Sequence, residues 1–333
     1  MSYQPPFTIT SEILNLVADI SQQVGRLDAS ALNASPLLRK QNRIKTITGT
    51  LAIEGNTLTE EQVTAIVEGK PVLGSARELA EVKGAITAYE ALPRFKPTNL
   101  DDLLAAHGLL MAEVLVDAGT FRRKGVGIHK AGVVHHVAPP AHKVSGLMAD
   151  LTQWLQQVKD HPLITSSVFH YEFEFIHPFS DGNGRMGRLW QTLILSRWHP
   201  LFLSLPLESV IKTHQQQYYQ SLEQADQQAD SSPFIQFMLS VIAQTLAQNA
   251  PVNAPVNAPV NPGFDAGVDV SGLKTPEAIV VLLAARPELT RQQLADIIGK
   301  DIRTIGRALA KLQQAGKINR VGSDKTGHWE VHL

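Results

Sequence analysis

Residues 177–188 of this 333-residue chain read HPFSDGNGRMGR. A helix must end close to His177, because the proline that follows disfavours helical backbone at the residue before it. Two glycines then surround Asn183, and glycine lets the backbone take positive φ and approach a ligand closely. A second helix is predicted to begin at about Arg185. The stretch therefore predicts a helix–loop–helix junction, with an anion site at the first N–H groups of the second helix.

Three kinds of side chain in this stretch suit a bound nucleotide. Arg185 and Arg188 are three residues apart, so they share a helix face and can donate to phosphate oxygens. Asp181, at the tip of the loop, can hold Mg²⁺ on a triphosphate through its carboxylate oxygens. A neutral imidazole at His177 can accept a hydroxyl proton near neutral pH. The stretch thus combines a base, a metal ligand, an anion cradle and two cations.

The stretch resembles the signature of the Fic family, His-x-Phe-x-Asp/Glu-Gly-Asn-Gly/Lys-Arg-x-x-Arg, at every specified position, and the resemblance extends over about residues 40–240. It implies an enzyme that transfers AMP from ATP, with Mg²⁺, to a Tyr, Ser or Thr hydroxyl of a target protein or of the chain itself. It also implies that His177 is the catalytic base, Asp181 the Mg²⁺ ligand and Phe179 a buried anchor. The loop and helix residues expected to contact the donor are Gly182, Asn183, Gly184, Arg185, Met186, Gly187 and Arg188.

Residues 126–138 read VGIHKAGVVHHVA, and their valines and central glycine predict a short β-hairpin on a helical body. The hairpin resembles the flap of Fic proteins, whose edge strand binds the target segment by β-augmentation. The same resemblance places two adjacent tyrosines beside the adenine, and Asp226 stands where related proteins often have Asn. The residues expected to flank the nucleotide in this way are Val126, Gly127, Ile128, His129, Tyr218, Tyr219 and Asp226.

Residues 50–55 read TLAIEG and resemble the inhibitory motif of Fic proteins, Ser/Thr-x-x-x-Glu-Gly/Asn. Thr50 and Glu54 are four residues apart, so a helix would present them on one face. Gly55 suits the position just beyond the end of that helix. The resemblance implies that Glu54 pairs with Arg188 and occupies the cation that the γ-phosphate needs. We therefore expect autoinhibition by an N-terminal helix.

The fold class predicted for the chain is mainly α: a Fic-type helical bundle with a short β-hairpin flap, plus a small C-terminal winged helix-turn-helix domain. Residues 250–261 repeat APVN three times, which forbids a helix and predicts an extended linker. The expected domains are an N-terminal helical region with the inhibitory helix at 1–95, the catalytic core at 96–248, the Pro-rich linker at 249–270 and the winged helix-turn-helix at 271–333. Apolar spacing predicts helices at 11–26, 38–54, 77–91, 100–115, 143–158, 163–176, 185–198, 207–228, 232–248, 275–286, 290–298 and 301–315, with strands near 317–321 and 328–332.

The C-terminal domain differs from the rest of the chain in charge. Residues 271–333 contain ten Lys or Arg and six Asp or Glu, a formal charge of +4 against −5 for the remainder. Such asymmetry suits a phosphate-backbone partner, and the third helix of the domain carries basic residues at four-residue spacing. A module for protein binding or dimerisation is the alternative. The residues expected at a DNA contact are Arg303, Thr304, Arg307, Lys311 and Lys325.

Composition excludes several other classes of protein. The chain has no cysteine, which excludes disulfides and thiolate metal sites and agrees with a reducing cytoplasm. No apolar run approaches the roughly 18–20 residues of a membrane span, and the first residues do not resemble a signal peptide. The net charge of −1 gives no sign, for the chain as a whole, of a nucleic-acid or membrane partner. We expect a cytoplasmic protein, and a homodimer is compatible with the sequence.

Two alternatives to AMP transfer are also compatible with the sequence. One is a DNA-binding regulator in which the Fic-like body senses a nucleotide. The other keeps the fold and changes the reaction, either by using another donor such as UTP or a phosphocholine nucleotide, or by removing AMP. Loss of activity in His177→Ala would separate an enzyme from a regulator.

Overall fold

The computed structural model describes residues 3–26, 36–130, 133–249, 273–285, 287, 289–298, 300–321 and 328–331. Contacts divide the chain into two compact units, Met1–Ala254 and Pro255–Leu333. The predicted linker, except for its first residue, lies outside the described residues, as do Lys325 and the side chains of residues 127–137. No helix in the described part of the chain is long and apolar enough to cross a membrane.

The first unit is mainly α-helical, as predicted. Two 3₁₀ turns, Leu92–Arg94 and Pro200–Ser204, lie among the helices that the structure describes. The helices of this unit are α1 Ser11–Arg26, α2 Pro36–Ile53, α3 Glu60–Val67, α4 Ala76–Ala91, α5 Leu100–Met111, α6 Ala141–Gln157, α7 Pro162–Ile176, α8 Asn183–Trp198, α9 Leu207–Thr213, α10 Gln215–Gln228 and α11 Ser232–Asn249.

Helices α7 and α8 form the centre of the first unit. Most residues of both helices are buried, including Phe169, Phe173 and Trp190. Burial on all sides is typical of a helix in the interior of a protein. Helices α6 and α11 pack on α7, and α1 packs on α11. The loop that joins α7 to α8 is therefore held by packed helices at both of its ends.

A two-stranded antiparallel sheet lies between α5 and α6. It pairs β1, Gly127–Lys130, with β2, Val133–Val137, and the register shifts between Ile128 and His129. An extra residue at such a shift bends a strand and re-aims its side chains. The sheet occupies the segment 126–138 in which the sequence predicts a hairpin.

The predicted helix 207–228 is two helices, α9 and α10, which part at His214. Neither proline nor glycine marks this break in the sequence. The break places Lys212 Nζ and Gln215 Nε2 each 2.8 Å from one of the last two carbonyl oxygens of α2. Because the last carbonyls of a helix have no partner inside it, these two side chains hold the end of α2 in place.

Other helix boundaries also differ from the predictions, and two of these differences lie in α5 and at the loop between α7 and α8. The predicted helix 100–115 ends at Met111, whose carbonyl accepts bonds from the N–H groups three and four residues further on. Helix α8 begins at Asn183, two residues earlier than expected, because Gly182 adopts φ 83° and serves as its N-cap. The first N–H groups of α8 therefore belong to the glycine-rich loop itself.

The second unit has a hydrophobic core of its own, which includes Leu283, Leu309 and Trp329. The indole Nε1 of Trp329 donates to the carbonyl of Leu289 at 3.2 Å. The two strands described in the second unit pair antiparallel, with Ile318 opposite Val331. The elements described in this unit are α12 Thr275–Ala285, α13 Arg291–Ile298, α14 Ile302–Gln314, β3 Ile318–Val321 and β4 His328–Val331.

Candidate functional site

Two left-handed backbone positions shape the loop between α7 and α8. His177 ends α7 with φ 50° and ψ 60°, and its N–H donates to the carbonyl of Phe173 at 2.9 Å. Gly182 has φ 83°, and a Cβ at this position would lie 2.8 Å from Sδ of Met111. Glycine adopts this backbone without strain and leaves room for the methionine. Only residues 178–182 separate His177 from the N-terminus of α8, where an anion is favoured.

Asn183 organises the loop through its side chain. Its Oδ1 accepts from the N–H of Phe179 at 2.8 Å, and its Nδ2 donates to the carbonyl of Phe179 at 3.0 Å. The side chain is buried and both of its polar atoms are engaged in these bonds. The side chain of Asn183 therefore shapes the loop, and the backbone N–H groups remain the predicted contact of a phosphate at this position.

A buried histidine, His107, packs against the loop and hydrogen-bonds to it, although the sequence did not single it out. The ring of His107 stacks on Phe179 at 3.6 Å between centroids. Its Nδ1 accepts from the N–H of Gly119 at 2.8 Å, so its Nε2 carries the proton and donates to the carbonyl of Asp181 at 3.0 Å. Burial lowers the pKa of His107 to about 4. No local pattern in helix α5 signals this role.

The side chain of Arg122 hydrogen-bonds to the start of the loop and to the residues that flank both ends of the hairpin. Its Nε donates to the carbonyl of His177 at 2.7 Å, Nη1 to Lys124 at 2.9 Å and Nη2 to Pro139 at 2.6 Å. The side chain also reaches the carbonyl of Ile176, and burial lowers its pKa. A planar guanidinium suits this task because it presents several donors in fixed directions.

The ion pair that the sequence predicts between Arg188 and Glu54 is present. Nη2 of Arg188 lies 2.7 Å from Oε1 of Glu54. The same guanidinium donates to the hydroxyl of Thr50 at 3.0 Å and to its carbonyl at 3.1 Å. Burial alone would lower the pKa of Arg188, but the charge and hydrogen bond of Glu54, together with the nearby Tyr218 and Glu174, outweigh burial and the pKa is raised. Both residues of the predicted inhibitory motif therefore contact the second arginine of the loop motif.

The carboxylate of Glu54 also lies against the first turn of α8. A Cβ on Gly184 would collide with Oε1 of Glu54 and would lie 3.1 Å from Nη1 of Arg188. Negative charge at a helix N-terminus is stabilised by the exposed N–H groups there. Glu54 thus places its carboxylate where the sequence predicts a phosphate.

Arg185 and Asp181 belong to a four-residue ring of charges. Arg185 contacts Asp181 at 3.2 Å and Glu81 at 3.3 Å. Arg77 closes the ring, at 2.7 Å from Asp181 and 3.2 Å from Glu81. Arg77 and Glu81 lie on α4, one helical turn apart, and no sequence motif singled them out. Their i, i+4 spacing is a common surface pattern and carries no specific signal.

Two guanidinium nitrogens beside the start of α8 are buried yet donate no hydrogen bond to any residue that the structure describes. They are Nε of Arg185 and Nη1 of Arg188, whereas Nη1 of Arg185 makes no hydrogen bond but lies 3.3 Å from Oε1 of Glu81 in an ion pair. Buried donors without acceptors are uncommon in proteins and need an explanation. Phosphate oxygens are suitable acceptors for such donors.

The predicted metal ligand, Asp181, does not belong to a larger cluster of metal-binding side chains among the described residues. Among the residues that the structure describes, no group of three or more His, Cys, Asp or Glu could hold a metal ion. Mg²⁺ typically needs only one or two protein carboxylates when substrate phosphates and water supply its other ligands. Asp181 therefore fits a metal that arrives with a nucleotide.

Two residues of α8 that were predicted to contact the nucleotide, Met186 and Gly187, lie in the packed interior of the first unit. Met186 is fully buried in the hydrophobic core. A Cβ on Gly187 would lie 2.6 Å from His170 and 2.9 Å from Glu174, both on α7. Glycine at this position therefore allows α7 and α8 to approach closely.

The three residues predicted beside the adenine have different surroundings. Tyr218 is buried, and its hydroxyl lies 3.2 Å from Nε2 of His170. Tyr219 is partly exposed and donates to the carbonyl of Ile53 at 3.4 Å. Asp226 accepts from the hydroxyl of Tyr171 at 2.7 Å. Tyr219 is the tyrosine of this pair with surface left to meet a ligand.

The remaining predicted residues lie in the hairpin and in the second unit. Val126, which precedes β1, is half-buried, and Gly127, Ile128 and His129 form most of that strand. In the second unit, the predicted DNA contacts within the described residues lie on α14 and are exposed, on the side away from its buried Leu309 and Leu312: Arg303, Thr304, Arg307 and Lys311.

Comparison with known proteins agrees with these features. A sequence model of the Fic/DOC family matches residues 97–195. Protein adenylyltransferase Fic of Culex quinquefasciatus is 31% identical over 226 residues, which are 65% of this chain and 42% of that protein. Protein adenylyltransferase fic-1 of Caenorhabditis briggsae is 30% identical over 66% of this chain and 43% of that protein. The chain thus spans less than half the length of these curated relatives.

Two solved structures resemble the whole chain or most of it. Fic-1 of Caenorhabditis elegans is 25% identical over 71% of this chain and 70% of that chain, with a TM-score of 0.59. A Fic family protein from Desulfovibrio desulfuricans G20 is 42% identical, with a TM-score of 0.73, over 99% of this chain and 98% of that chain. On this similarity, and with a matching family signature at its central loop, the chain belongs to the Fic family.

Proposed function

We propose that this chain is a protein adenylyltransferase, which transfers AMP from ATP to a Tyr, Ser or Thr hydroxyl of a target protein or of itself. The observation that carries the proposal is the pair of buried guanidinium nitrogens beside the first turn of α8, Nε of Arg185 and Nη1 of Arg188, that donate no hydrogen bond to the described residues. That arrangement fits the phosphates of a nucleotide. The names of the curated relatives support adenylyl transfer over other uses of a nucleotide.

In the proposed reaction, His177 accepts the proton of the target hydroxyl. The hydroxyl oxygen then bonds to the α-phosphorus of ATP, while the bond from that phosphorus to the pyrophosphate oxygen breaks and pyrophosphate leaves. Arg185 and Arg188 donate to the departing phosphates, and the first N–H groups of α8 face their oxygens. The protein contributes mainly by positioning the reactants and by neutralising charge.

Asp181 is the residue that would hold Mg²⁺ in this site. When bound, the ion supplies positive charge that offsets the charge of the phosphates. The fit rests on the exposed part of the Asp181 carboxylate and on the adjacent arginine donors without an acceptor among the described residues. Such a site holds the metal only together with the nucleotide.

The hairpin 126–138 is the proposed docking strand for the target. Residues from Lys124 to Pro139 span its base, and Arg122 ties both of these ends to the carbonyl of His177. A target segment added to the edge of β1 or β2 by main-chain hydrogen bonds would be fixed relative to the base.

Glu54 is the proposed brake on this activity. It pairs with Arg188 and lies against Gly184, so it competes with a phosphate for the same donors. The carbonyls just before Glu54 are held by Lys212 and Gln215, which keeps the carboxylate in position. In this state the γ-phosphate has no access to Arg188, so ATP binds weakly or in an unproductive pose.

Replacing Glu54 tests the donor, the reaction and the brake in one experiment. Wild type, Glu54→Gly and Glu54→Gln are incubated with ATP and Mg²⁺, and the intact mass is measured. Both variants should gain the mass of one AMP residue on the order of tenfold to a hundredfold faster, because a charge-assisted hydrogen bond is worth about 1.5–3 kcal/mol. Glu90→Gln, which removes an exposed glutamate paired with Arg43, is the matched control.

Each other outcome of that experiment has a definite meaning. Equal labelling of wild type and both Glu54 variants would contradict the brake. Labelling with UTP but not with ATP would identify another donor, and loss of a preformed AMP group would indicate the reverse reaction. Binding of ATP with no adduct on the chain or on proteins of a cell extract would favour a nucleotide-sensing regulator.

The second unit is the proposed winged helix-turn-helix, with DNA as its partner. The observation that favours this role is the row of exposed basic residues on α14, Arg303, Arg307 and Lys311, opposite a buried apolar face. A recognition helix with such a face can enter the major groove. Binding that depends on these charges should weaken as salt is added.

A further inference from the structure

The carboxylate of Asp181 is contacted by two arginines, one of which comes from outside the loop. Nη2 of Arg77 lies 2.7 Å from Oδ2, and Nη2 of Arg185 lies 3.2 Å from Oδ1. The N–H of Gly182 also donates to Oδ1 at 2.6 Å. Both oxygens of the proposed metal ligand are therefore engaged, and Oδ2 is engaged by Arg77.

The four charges around Asp181 alternate in sign. Glu81 Oε1 lies 3.2 Å from Nε of Arg77 and 3.3 Å from Nη1 of Arg185, and each arginine also contacts Asp181. Each neighbouring pair attracts, and the four formal charges cancel. A cation that enters this ring meets two guanidinium groups at close range, which disfavours it until one of them moves away.

Burial decides which arginine can move. The side chain of Arg185 is only 3% exposed, whereas that of Arg77 is 62% exposed and that of Asp181 is 37% exposed. A hydrated cation reaches Asp181 from the solvent side, which is the side of Arg77. After leaving Asp181, Arg77 still has Glu81 one helical turn away as a partner.

We propose that Arg77 is a further residue of the donor site: its guanidinium occupies Oδ2 of Asp181 in the place that Mg²⁺ takes when it arrives with the nucleotide. Metal binding and the Arg77–Asp181 contact then exclude each other. This proposal rests on the proposed function, because it needs a metal-bound nucleotide donor at Asp181. It assigns to α4 a role in metal binding, separate from the effect of Glu54 on Arg188.

The contact between Arg77 and Asp181 contributes little to the stability of the fold. An exposed ion pair contributes little to stability, about 0–1 kcal/mol. Loss of Arg77 should therefore leave the fold intact and act on the metal. Glu54 competes with a phosphate and Arg77 competes with a cation, so their variants should change the affinities for different ligands.

The test measures metal binding in the full-length chain, without any need for turnover. Arg77→Gln is made in a Glu54→Gly background, and Mn²⁺ binding is followed by electron paramagnetic resonance and calorimetry in the presence of α,β-methylene ATP. The dissociation constant of Mn²⁺ should fall about two- to fivefold, which is the range expected from losing one exposed ion pair. Affinity for the analogue without metal should not increase.

Three control variants share the Glu54→Gly background. Arg43→Gln removes an equivalent charge that pairs with Glu90 at 2.8 Å rather than with Asp181. Asp181→Asn should abolish the Mn²⁺ signal. Arg77→Met, which keeps much of the length of the side chain, is measured as a second Arg77 variant. Its result decides if Arg77→Gln unfolds at a lower temperature than its parent.

The possible results separate this proposal from the proposed function. Unchanged Mn²⁺ affinity in both Arg77 variants would overturn the role of Arg77 and leave the proposed function standing. An equal gain in Arg43→Gln would show a general charge effect and would also overturn it. No binding of the nucleotide by any variant would contradict the proposed function, and the role of Arg77 with it.

Discussion

At the scale of single residues, His177 has two properties that a substitution must separate. Its imidazole is the proposed base, and its backbone is left-handed at φ 50°. Alanine in that region is strained, whereas asparagine enters it more readily. A loss of activity in His177→Ala therefore mixes chemistry with backbone strain.

His177→Asn isolates the chemistry. Starting from Glu54→Gly, this substitution should lower the rate of AMP transfer by about 10²–10⁴, because it removes the acceptor of the proton. Binding of α,β-methylene ATP and the urea midpoint should stay close to those of the parent. Transfer at an undiminished rate would exclude His177 as the base.

His107 predicts how stability depends on pH. Its pKa is lowered from 6.5 to about 4 by burial. Between these values the unfolded chain binds a proton that the folded chain does not. The free energy of unfolding should therefore decline as pH falls from about 6.5 to about 4. The part of this decline that comes from His107 is at most about 3 kcal/mol. Above about pH 6.5 the stabilising contribution of neutral His107 is fully present.

Urea unfolding of wild type and His107→Gln checks this prediction. A glutamine amide can still accept and donate a hydrogen bond but does not titrate. Every other titrating group is common to the two proteins, so the difference between their curves reports His107. Parallel curves from pH 7 to pH 4.5 would contradict the assignment.

At the scale of elements, two N-terminal segments engage charged groups that the proposed donor site uses. The residue that follows α2, Glu54, pairs with Arg188, and α4 supplies Arg77 to Asp181. Nδ2 of Asn56 joins the two helices by donating to Oε2 of Glu81 at 2.9 Å. The segment after α2 is therefore linked to the same ring of charges that surrounds Asp181.

Arg122 connects the α7–α8 loop to the hairpin, and its fork geometry should matter more than its charge. Arg122→Lys keeps the charge but cannot reach the carbonyls on both sides. We expect the free energy of unfolding to fall by about 2–4 kcal/mol, because buried carbonyls and a buried charge lose partners. Amide hydrogen exchange in residues 124–139 should also accelerate.

The adjacent arginine is the control for this substitution. Arg123 is exposed, so Arg123→Lys should change neither stability nor exchange. If Arg122→Lys matched this control in both measurements, the hairpin would not depend on the guanidinium contacts that the structure contains.

At the scale of the whole molecule, the candidate donor site lies entirely in the first unit and the basic face of α14 in the second. Each unit has its own hydrophobic core. Chemistry and nucleic-acid binding should therefore be separable by substitution.

Gel-shift titration of the full-length chain against duplex DNA at several salt concentrations tests the second unit. The double variant Arg303→Ala/Arg307→Ala should bind more weakly and lower the slope of log affinity against log salt by about two, because each arginine neutralises one phosphate. Arg39→Ala/Lys40→Ala, which removes two exposed charges from the first unit, should bind as wild type does. An identical weakening in both double variants would argue against α14 as the DNA-binding helix.

Much of the mainly α fold follows from periodicity, but helix ends do not. The break at His214 has no proline or glycine to mark it, and it lies where Lys212 and Gln215 bind the end of α2. The end of a helix depends on which partners satisfy its last groups, and those partners are often distant in sequence.

The sequence by itself determined the backbone and residue types of the loop 177–188, and its resemblance to the Fic family implied the pairing of Glu54 with Arg188. Proline and glycine act on the backbone locally, a helix start favours an anion wherever it occurs, and four-residue spacing places Thr50 beside Glu54. Only the tertiary structure decided what surrounds these groups. Arg77 meets Asp181 across 104 residues and Arg122 meets the carbonyl of His177 across 55. Such contacts depend on how helices pack, and no local pattern in the chain encodes them.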